Sequence, residues 1–367
     1  MYTEQELRAI RQARETWEKT VVASELRKTG ETKSEFKSVS GIPIKRAYTP
    51  LDLEERGWDY LKDLGFPGQY PFTSGNSALM FRGKLFDCYQ YGGHGTAEET
   101  NKRLKHSFAE GARELGLALD LPTQLGYDSD HLMAEGEVGR IGVAIDSLAD
   151  IETIYGGLPL ESMIPSTTAN AIGPIYFAMI VAAAEKQGLS LQRQKKLSFL
   201  VQNDVLKEYL ARGTHIFPPK HGLRFSCDLV EYVVRNKFEN VIPLIYCGYH
   251  IGEAGANAFQ QLAFLLADGK AYIEEVLRRG INVNDLPEPR LNCAVSMDFF
   301  EGIAKLRALR RMWAKMMKEQ FGATNPKVMA GTLWAALEAT AFTAQQPFNN
   351  LIRGGIGTLA GALAGLV

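Results

Sequence analysis

From Thr96 onward, the sequence alternates short apolar runs with stretches of helical periodicity. This alternation is typical of a parallel α/β fold, in which a helix follows each strand and returns the chain to the same end of the sheet. The runs predicted to be strands are 115–121, 140–146, 161–168, 196–203, 240–247, 290–297 and 327–334. These runs are one short of the eight that close a β/α barrel. The sequence therefore predicts an α/β fold of the (β/α)8 TIM type that lacks its eighth strand.

The expected place of the missing strand is the end of the chain. The last predicted helix, 348–363, runs into Gly365, Leu366 and Val367, where an eighth strand should begin. An open sheet would leave two unpaired edges, which favour aggregation. Either the strand has been removed, or another polypeptide supplies it.

The N-terminal part of the chain differs from the rest. Residues 1–45 are predicted to form a helical extension and linker, and residues 46–367 the barrel. A charged helix is expected from Glu4 to about Lys28, with one narrow apolar stripe. That stripe packs either on its own domain or on a partner subunit.

Charge and cysteine content exclude several classes of protein. With 41 basic and 42 acidic residues the formal net charge is -1, so no overall field attracts nucleic acid or an anionic membrane. The cysteines are widely spaced with no C-x-x-C pair, which argues against a structural zinc site or a disulfide framework. The N-terminus is polar and resembles neither a signal peptide nor a membrane span. These features predict small-molecule chemistry in the cytoplasm, with no metal held by the chain itself.

Two segments place candidate site residues at one edge of the sheet. In KLSFLVQNDVLKE (196–208) and CGYHIGEAG (247–255), an apolar run ends in polar residues that lead into a helix. Such side chains lie at the carboxyl ends of parallel strands, where β/α folds carry their chemistry. We therefore expect Gln202, Arg212 and His250 to share one rim.

The predicted strands are also unusual in their alternate residues, which are small or polar where a barrel interior normally holds Val, Ile and Leu. The positions concerned are Gly116, Ala118, Asp120, Ser198, Gln202, Asn292, Ala294, Ser296, Ala330 and Thr332. They either line a channel or face the helices, where Asp120 and Gln202 would need polar partners. Leu200 and Trp334 are bulky exceptions that would narrow a channel.

QNDVLKEY, GYHIGEAGA and GYDSD (126–130) resemble substrate-domain signatures of the methylmalonyl-CoA mutase family, the adenosylcobalamin-dependent acyl-CoA mutases. The resemblance runs from about Arg46 onward. It implies a radical carbon-skeleton rearrangement of an acyl-CoA, catalysed by an isomerase. It also implies a barrel whose channel accepts the pantetheine arm of coenzyme A.

The resemblance gives roles to the rim residues. It implies that His250 donates a hydrogen bond to the thioester carbonyl, although a lone histidine is more often a structural hydrogen-bonder. It implies that Arg212 holds the substrate's free carboxylate; the alternative is an exposed arginine near a helix C-terminus. Glu253 resembles the residue near the adenosyl ribose, or it is a carboxylate favoured by a helix dipole. Gln202 is expected to act in catalysis and, with Ala118, Arg212 and Glu253, to contact the cofactor.

Tyr91 lies in YQYGGHGTAEE (89–99), where the family has a similar tyrosine before TAEE. The resemblance implies that its ring wedges between the cobalamin face and the substrate. Mutases for substrates without a second carboxylate usually replace both this tyrosine and the arginine. Tyr91 and Arg212 together therefore indicate a dicarboxylic acyl group of the methylmalonyl or succinyl kind.

The coenzyme A contacts depart most from the family. Ser77, Lys84, Arg290 and Asn292 are the candidates for binding the substrate and coenzyme A. Only Arg290 keeps the family's residue, and Lys84 keeps a charge without the guanidinium fork. On the last predicted strand, Thr332, Trp334 and Ala336 stand where the family has arginine, histidine and glutamine. A different acyl carrier or a tighter pocket therefore remains open.

The D-x-H-x-x-G motif, whose histidine ligates cobalt in the family, does not occur in this sequence. RGGIGTLAG (353–361) is not a dinucleotide loop, because a helix and not a strand precedes it. We therefore expect a large, substrate-binding subunit that works in a hetero-oligomer with a small cobalamin-binding subunit. The alternative is a non-catalytic barrel or degenerate homologue with a binding or assembly role.

Overall fold

A computed structural model describes residues 2–85 and 89–366 of the chain; Cys88 and Val367 lie outside this part. Its strands are β1 (Gln90–Gly92), β2 (Glu114–Leu117), β3 (Ile164–Thr167), β4 (Ser198–Val201), β5 (Asn240–Ile242), β6 (Ile245–Cys247), β7 (Arg290–Val295) and β8 (Thr332–Leu337). Its α-helices are α1 (Glu4–Trp17), α2 (Ala23–Lys28), α3 (Pro50–Glu55), α4 (Ala97–Ala109), α5 (Leu121–Leu125), α6 (Leu148–Tyr155), α7 (Gly173–Lys186), α8 (Leu191–Gln194), α9 (Pro219–Arg235), α10 (Tyr249–Glu253), α11 (Ala258–Arg278), α12 (Phe299–Lys315), α13 (Pro326–Ala330) and α14 (Pro347–Ala364).

The strands form two parallel sheets in chain order. One sheet has the order β1-β2-β3-β4-β5 and the other β6-β7-β8, and every paired strand in them is parallel. Strands β5 and β6 belong to one predicted run that breaks at Pro243, which has no N–H group to donate to the ladder. Parallel strands in chain order with helical crossovers confirm the predicted α/β class and are consistent with a TIM-type fold.

The predicted strand at 140–146 is wrong. Only Val143 pairs there, through single parallel bridges to Gly95 and Leu119. A side chain at Gly142 would overlap the backbone of Leu119, which lies just beyond the end of β2. The Asp120 carboxylate accepts the Gly139 N–H at 2.8 Å and so has the polar partner that burial demands.

Two further boundaries differ from the sequence prediction. Strand β1 was not predicted, because a three-residue strand followed by glycine carries little periodic signal. The last run begins with α13 instead of a strand, since Asn325 caps a helix that has Pro326 in its first turn. Strand β8 then starts at Thr332.

The predicted N-terminal helix is confirmed. Helix α1 continues through a π-helical turn (Glu18–Val22) into α2, and Arg11 Nη2 lies 3.0 Å from Glu54 Oε2 of α3. No residue of α1 is buried. Ser40, in the predicted linker, hydrogen-bonds to Glu301 near the start of α12, so the extension contacts its own chain.

Arg310 joins distant parts of the chain inside the apolar core. Its guanidinium donates to the carbonyl oxygens of Phe72, Thr73, Ala364 and Gly365 at 2.8–3.1 Å. Burial lowers the pKa of Arg310 to about 10, so it stays charged at neutral pH. Between residues 2–85 and 89–366, no helix is both long and apolar enough to cross a lipid bilayer.

Candidate functional site

A cavity of about 600 Å³ lies at the carboxyl ends of the strands and is lined from both sheets. Strand β8 and helix α14 contribute mainly apolar wall. The polar side chains that line the cavity are Tyr89, Tyr91, Thr168, Gln202, Arg212, Tyr249, His250, Asn292 and Thr358. The structure thus brings the three predicted rim residues together, and it adds Tyr91 from β1, whose side chain is 50% exposed.

Arg212 is held by a buried carboxylate. A π-helical turn (Glu208–Arg212) follows β4 and ends at Gly213, whose φ of 87° is left-handed. Arg212 Nη1 lies 3.4 Å from Glu208 Oε1 and donates to Thr214 Oγ1 at 3.0 Å. The Arg212 side chain is 22% exposed, and it lines the cavity. Glu208 and Thr214 thus hold the Nη1 edge of the guanidinium, and the group still faces the cavity.

Lys207 lies beneath the rim and is fully buried. Its ammonium contacts Glu208 and lies 3.4 Å from Gln202 Oε1. Burial acts to raise the pKa of Glu208, but the charges of Lys207 and Arg212 outweigh it and lower that pKa, so Glu208 is ionised. Because Gln202 Oε1 accepts from the ammonium, the amide nitrogen of Gln202 is left to donate toward the cavity.

His250 is neutral at physiological pH. Burial, followed by the positive charges of Lys207 and Arg212, lowers the pKa of His250 to about 2. His250 Nδ1 lies 3.2 Å from Cys247 Sγ, and burial raises the pKa of the Cys247 thiol to about 11. The thiol therefore keeps its hydrogen and is able to donate it to Nδ1; in that pairing His250 carries its own hydrogen on Nε2. A neutral N–H donor is thus available at the rim.

A second buried carboxylate ties the rim to the core. Asp204 accepts the Cys247 N–H at 2.9 Å and the Tyr272 hydroxyl at 3.2 Å. The Tyr272 oxygen in turn accepts the Val205 N–H at 2.7 Å. Asp204 also faces Asp268 of α11, and burial raises the pKa of both carboxyls. Both side-chain oxygens of Asp268 are buried without a hydrogen-bond partner within the described residues. We assign one proton to this pair, carried by Asp268, because its pKa is raised further.

This proton makes stability depend on pH. Burial raises the pKa of Asp268 well above its usual value, so the folded protein holds a proton that the unfolded chain releases above about pH 4. The pair's contribution to the free energy of unfolding therefore falls as pH rises through that window. Asp268→Asn keeps a donor without a titratable proton, so wild-type stability relative to the variant should fall by up to about 1.4 kcal/mol per pH unit. Urea unfolding at about pH 5 and pH 8 checks this, and a pH-independent difference would contradict it.

Sequence reasoning missed Asp204, Lys207 and Glu208 as part of the site. A signal was present, because three ionisable residues follow an apolar strand within five positions of QNDVLKE. Charged side chains are almost never fully buried unless they are paired. All three are buried here. They support the rim residues from below.

Two of the predicted cofactor contacts, Glu253 and Ala118, do not line the cavity. Glu253 accepts the backbone N–H groups of Ala339 and Thr340 and anchors the segment after β8. Ala118 is buried, and its carbonyl accepts the Val143 N–H at 2.9 Å. Gln202 and Arg212 are the predicted cofactor contacts that the structure places at the cavity.

The predicted coenzyme A residues are not brought together. Asn292 lines the cavity described above, whereas Arg290 lines a second cavity of about 730 Å³ at the amino ends of β4, β5 and β7. Ser77 Oγ accepts the Met80 N–H at 3.2 Å in an exposed turn, and the Lys84 side chain is exposed. Within the described residues, Asn292 Oδ1 is buried without a hydrogen-bond partner, so it is an acceptor available to a ligand.

Comparison with known proteins gives one family. The family model described as methylmalonyl-CoA mutase matches residues 37–367. The large subunit of 2-hydroxyisobutanoyl-CoA mutase from Aquincola tertiaricarbonis is 40% identical over 357 residues, which cover 97% of this chain and 62% of that protein. Methylmalonyl-CoA mutase from Escherichia coli is 39% identical over 333 residues, 89% of this chain and 45% of that protein.

A further relative is the large subunit of methylmalonyl-CoA mutase from Streptomyces virginiae, which is 39% identical over 320 residues, 87% of this chain and 42% of that protein. The chain therefore spans between 42% and 62% of the length of these relatives. The resemblance expected from the rim motifs is confirmed.

Proposed function

Because this chain belongs to the methylmalonyl-CoA mutase family, we propose that it binds and orients the acyl group in a cobalamin-dependent rearrangement of an acyl-CoA. The enzyme class would be an intramolecular mutase, an isomerase. The observation that carries the proposal is one cavity that presents the Arg212 cation beside the neutral donors Gln202 and His250. The same cavity supports the finer fold proposal, in which the two sheets are the wall of one TIM-type barrel.

Arg212 is the proposed anchor for a free carboxylate on the acyl group. Glu208 and Lys207 form a buried pair behind it, so the positive charge of Arg212 is not fully matched within this cluster. A carboxylate that enters the cavity would meet a planar fork that fixes both its charge and its orientation. Tyr91 shares this wall and limits the space beside the acyl group. This arrangement favours a dicarboxylic acyl group of the methylmalonyl or succinyl kind.

His250 and Gln202 are the proposed donors to the thioester oxygen. Both residues present N–H groups to the cavity. Neither the neutral imidazole of His250 nor the amide of Gln202 releases a proton at neutral pH. Such donors stabilise negative charge that grows on a carbonyl oxygen during a rearrangement. The contacts of His250 with Cys247 and of Gln202 with Lys207 hold both side chains in the same orientation when the substrate is absent.

Adenosylcobalamin, when bound, supplies the organic radical that starts the rearrangement. Tyr91, Gln202 and Arg212, which line the cavity, are the residues that would contact the cofactor. Within residues 2–85 and 89–366, no cluster of three or more His, Cys, Asp or Glu is placed to hold a metal ion. We propose that a small cobalamin-binding subunit brings the cobalt ligand, in keeping with relatives named as large subunits. The chain's own part is to position the acyl group and exclude water.

Arg212→Lys should discriminate between acyl groups. Lysine keeps the charge but loses the bidentate fork, so binding and turnover of a dicarboxylic acyl thioester should weaken by about 2–3 kcal/mol. A monocarboxylic thioester of similar size should be affected much less. Calorimetric titration of both thioesters, and turnover with a cobalamin-binding partner, measure the difference.

Lys220→Arg, on the first turn of α9, is the control because that side chain is exposed and does not line the cavity. It should leave both affinities unchanged. Equal losses for the two thioesters in Arg212→Lys would show that Arg212 does not contact the distal carboxylate. If wild type binds neither thioester, the alternative of a non-catalytic barrel is the better description.

A further inference from the structure

We propose that Tyr89, Trp334 and Leu200 form a plug that closes the space between the two sheets, so that the carrier arm of the thioester does not pass from the carboxyl-end cavity into the amino-end cavity. This inference rests on the proposed function. It makes the plug a determinant of substrate class: a small carboxyacyl thioester that is recognised through the acyl group and the first atoms of its carrier. The family resemblance implies that the pantetheine arm threads through the barrel. With the plug in place, the arm would not thread between the sheets of this chain.

The first part of the plug is an aromatic pair. The rings of Tyr89 and Trp334 meet edge to face, with centroids 4.8 Å apart and planes at 85°. Trp334 lies on β8 opposite Asn292 of β7 in the ladder, at the height of the cavity floor. The Trp334 side chain lines the cavity at the carboxyl ends, as does Tyr89. The two rings therefore link β8 to the segment before β1.

Tyr89 extends the plug toward β2 and β3. A methyl group added at Gly116 would overlap the Tyr89 ring and hydroxyl, so the ring lies directly over this glycine. In the ladder Gly116 is the partner of Ser166, and Ser166 is the partner of Leu200. Leu200, which is 5% exposed, is thus joined to Gly116 through Ser166 in the ladder. Tyr89 and Trp334 line the carboxyl-end cavity and Leu200 lines the amino-end cavity, so the three large side chains lie on the two faces of the layer that separates these cavities.

Two cavities meet this layer from opposite sides. On β4, Leu200 lines the amino-end cavity and Gln202 the carboxyl-end cavity. On β7, Arg290 and Asn292 divide in the same way. Residues two apart on a strand are separated by about 6.6 Å, the thickness of one layer of side chains. In the part of the chain that the structure describes, no residue lines both cavities.

The chemistry of the second cavity fits a separate compartment. It is lined by the basic residues Lys237, Arg290 and Lys327, and also by acidic residues. Basic side chains there would suit the phosphates of coenzyme A only if the carrier reached them. With the plug in place, these basic side chains lie beyond the reach of the carrier. Lengthening the carrier should therefore add no contacts in the second cavity.

The experiment compares three thioesters that share a succinyl group and differ in carrier: N-acetylcysteamine, pantetheine and coenzyme A. Calorimetric titration of the full chain should give wild-type dissociation constants within about threefold of one another. Trp334→Ala should open the layer, so that the coenzyme A ester binds at least about tenfold more tightly than the N-acetylcysteamine ester. Trp334→Phe is the matched variant, because it keeps an aromatic ring against Tyr89; its three dissociation constants should stay within about threefold of one another, as in wild type.

Leu200→Ala is a second opening variant, and circular dichroism and the melting temperature show whether each variant folds. The proposal is overturned if wild type already prefers the coenzyme A ester by tenfold or more. It is also overturned if the folded opening variants show no dependence on carrier length. If no thioester binds wild type, the proposed function fails first, whereas binding of all three with the wrong length dependence rejects the plug alone.

Discussion

Asp204→Ala is expected to lower the free energy of unfolding by about 3–5 kcal/mol. The carboxylate is fully buried and accepts hydrogen bonds from the Cys247 N–H and the Tyr272 hydroxyl. Alanine would leave both donors without an acceptor in a dry environment and would remove the carboxylate that faces the protonated Asp268, which is the costly way to break a buried network. Urea unfolding followed by circular dichroism at neutral pH measures the loss.

Asp204→Asn is the matched variant. The amide oxygen of asparagine is able to accept from the Cys247 N–H, but the negative charge that faces Asp268 and Lys207 is gone. The free energy of unfolding is therefore expected to fall by a smaller amount, about 1–2 kcal/mol. Tyr272→Phe, which removes one hydroxyl from the same network, should fall in a similar range. A loss below about 1 kcal/mol for Asp204→Ala would show that the network relaxes or hydrates, and that it does not support the rim as described.

His250→Ala is expected to lower turnover by roughly 10²–10³ in the enzyme reconstituted with the proposed cobalamin-binding partner, with little change in substrate affinity. The reason is that a fixed N–H donor gains strength as negative charge builds on the thioester oxygen. Burial and the charges of Lys207 and Arg212 lower the pKa of His250 to about 2, so the imidazole stays neutral and turnover should show no His250 titration between about pH 5 and 8. Steady-state kinetics and calorimetric binding separate the two effects.

His250→Gln provides the control for the donor, because its amide retains an N–H group of similar reach and should recover part of the lost turnover. Cys247→Ala tests the tautomer: without the thiol hydrogen on Nδ1, the imidazole is free to place its proton on either nitrogen, and turnover should fall less than in His250→Ala. Full activity in both His250→Ala and Cys247→Ala would contradict the assignment of His250 as the donor.

Local sequence was sufficient to predict the rim. Gln202 and His250 follow apolar runs that end in polar residues, and a strand's end depends mainly on nearby side chains. Parallel strands bring their carboxyl ends to the same edge of the sheet, whichever side chains pack on the sheet. The order of the strands along the chain was therefore enough to bring Gln202 and His250 together with Arg212. The same reasoning failed at 140–146, where an apolar run pairs only through isolated bridges of Val143. It also missed β1, which is too short to carry a period.

The sequence by itself determined the parallel α/β class, the family and the edge at which the polar side chains collect, because strand ends and motif spacing are local properties. Only the tertiary structure decided the partners: Lys207 beneath Gln202, Cys247 beside His250, and Asp204 against Asp268 on α11. It also decided that Tyr89 crosses to Gly116 and meets Trp334. Those contacts join residues far apart in the chain, and each depends on side-chain directions and depths that exist only once the sheets have packed.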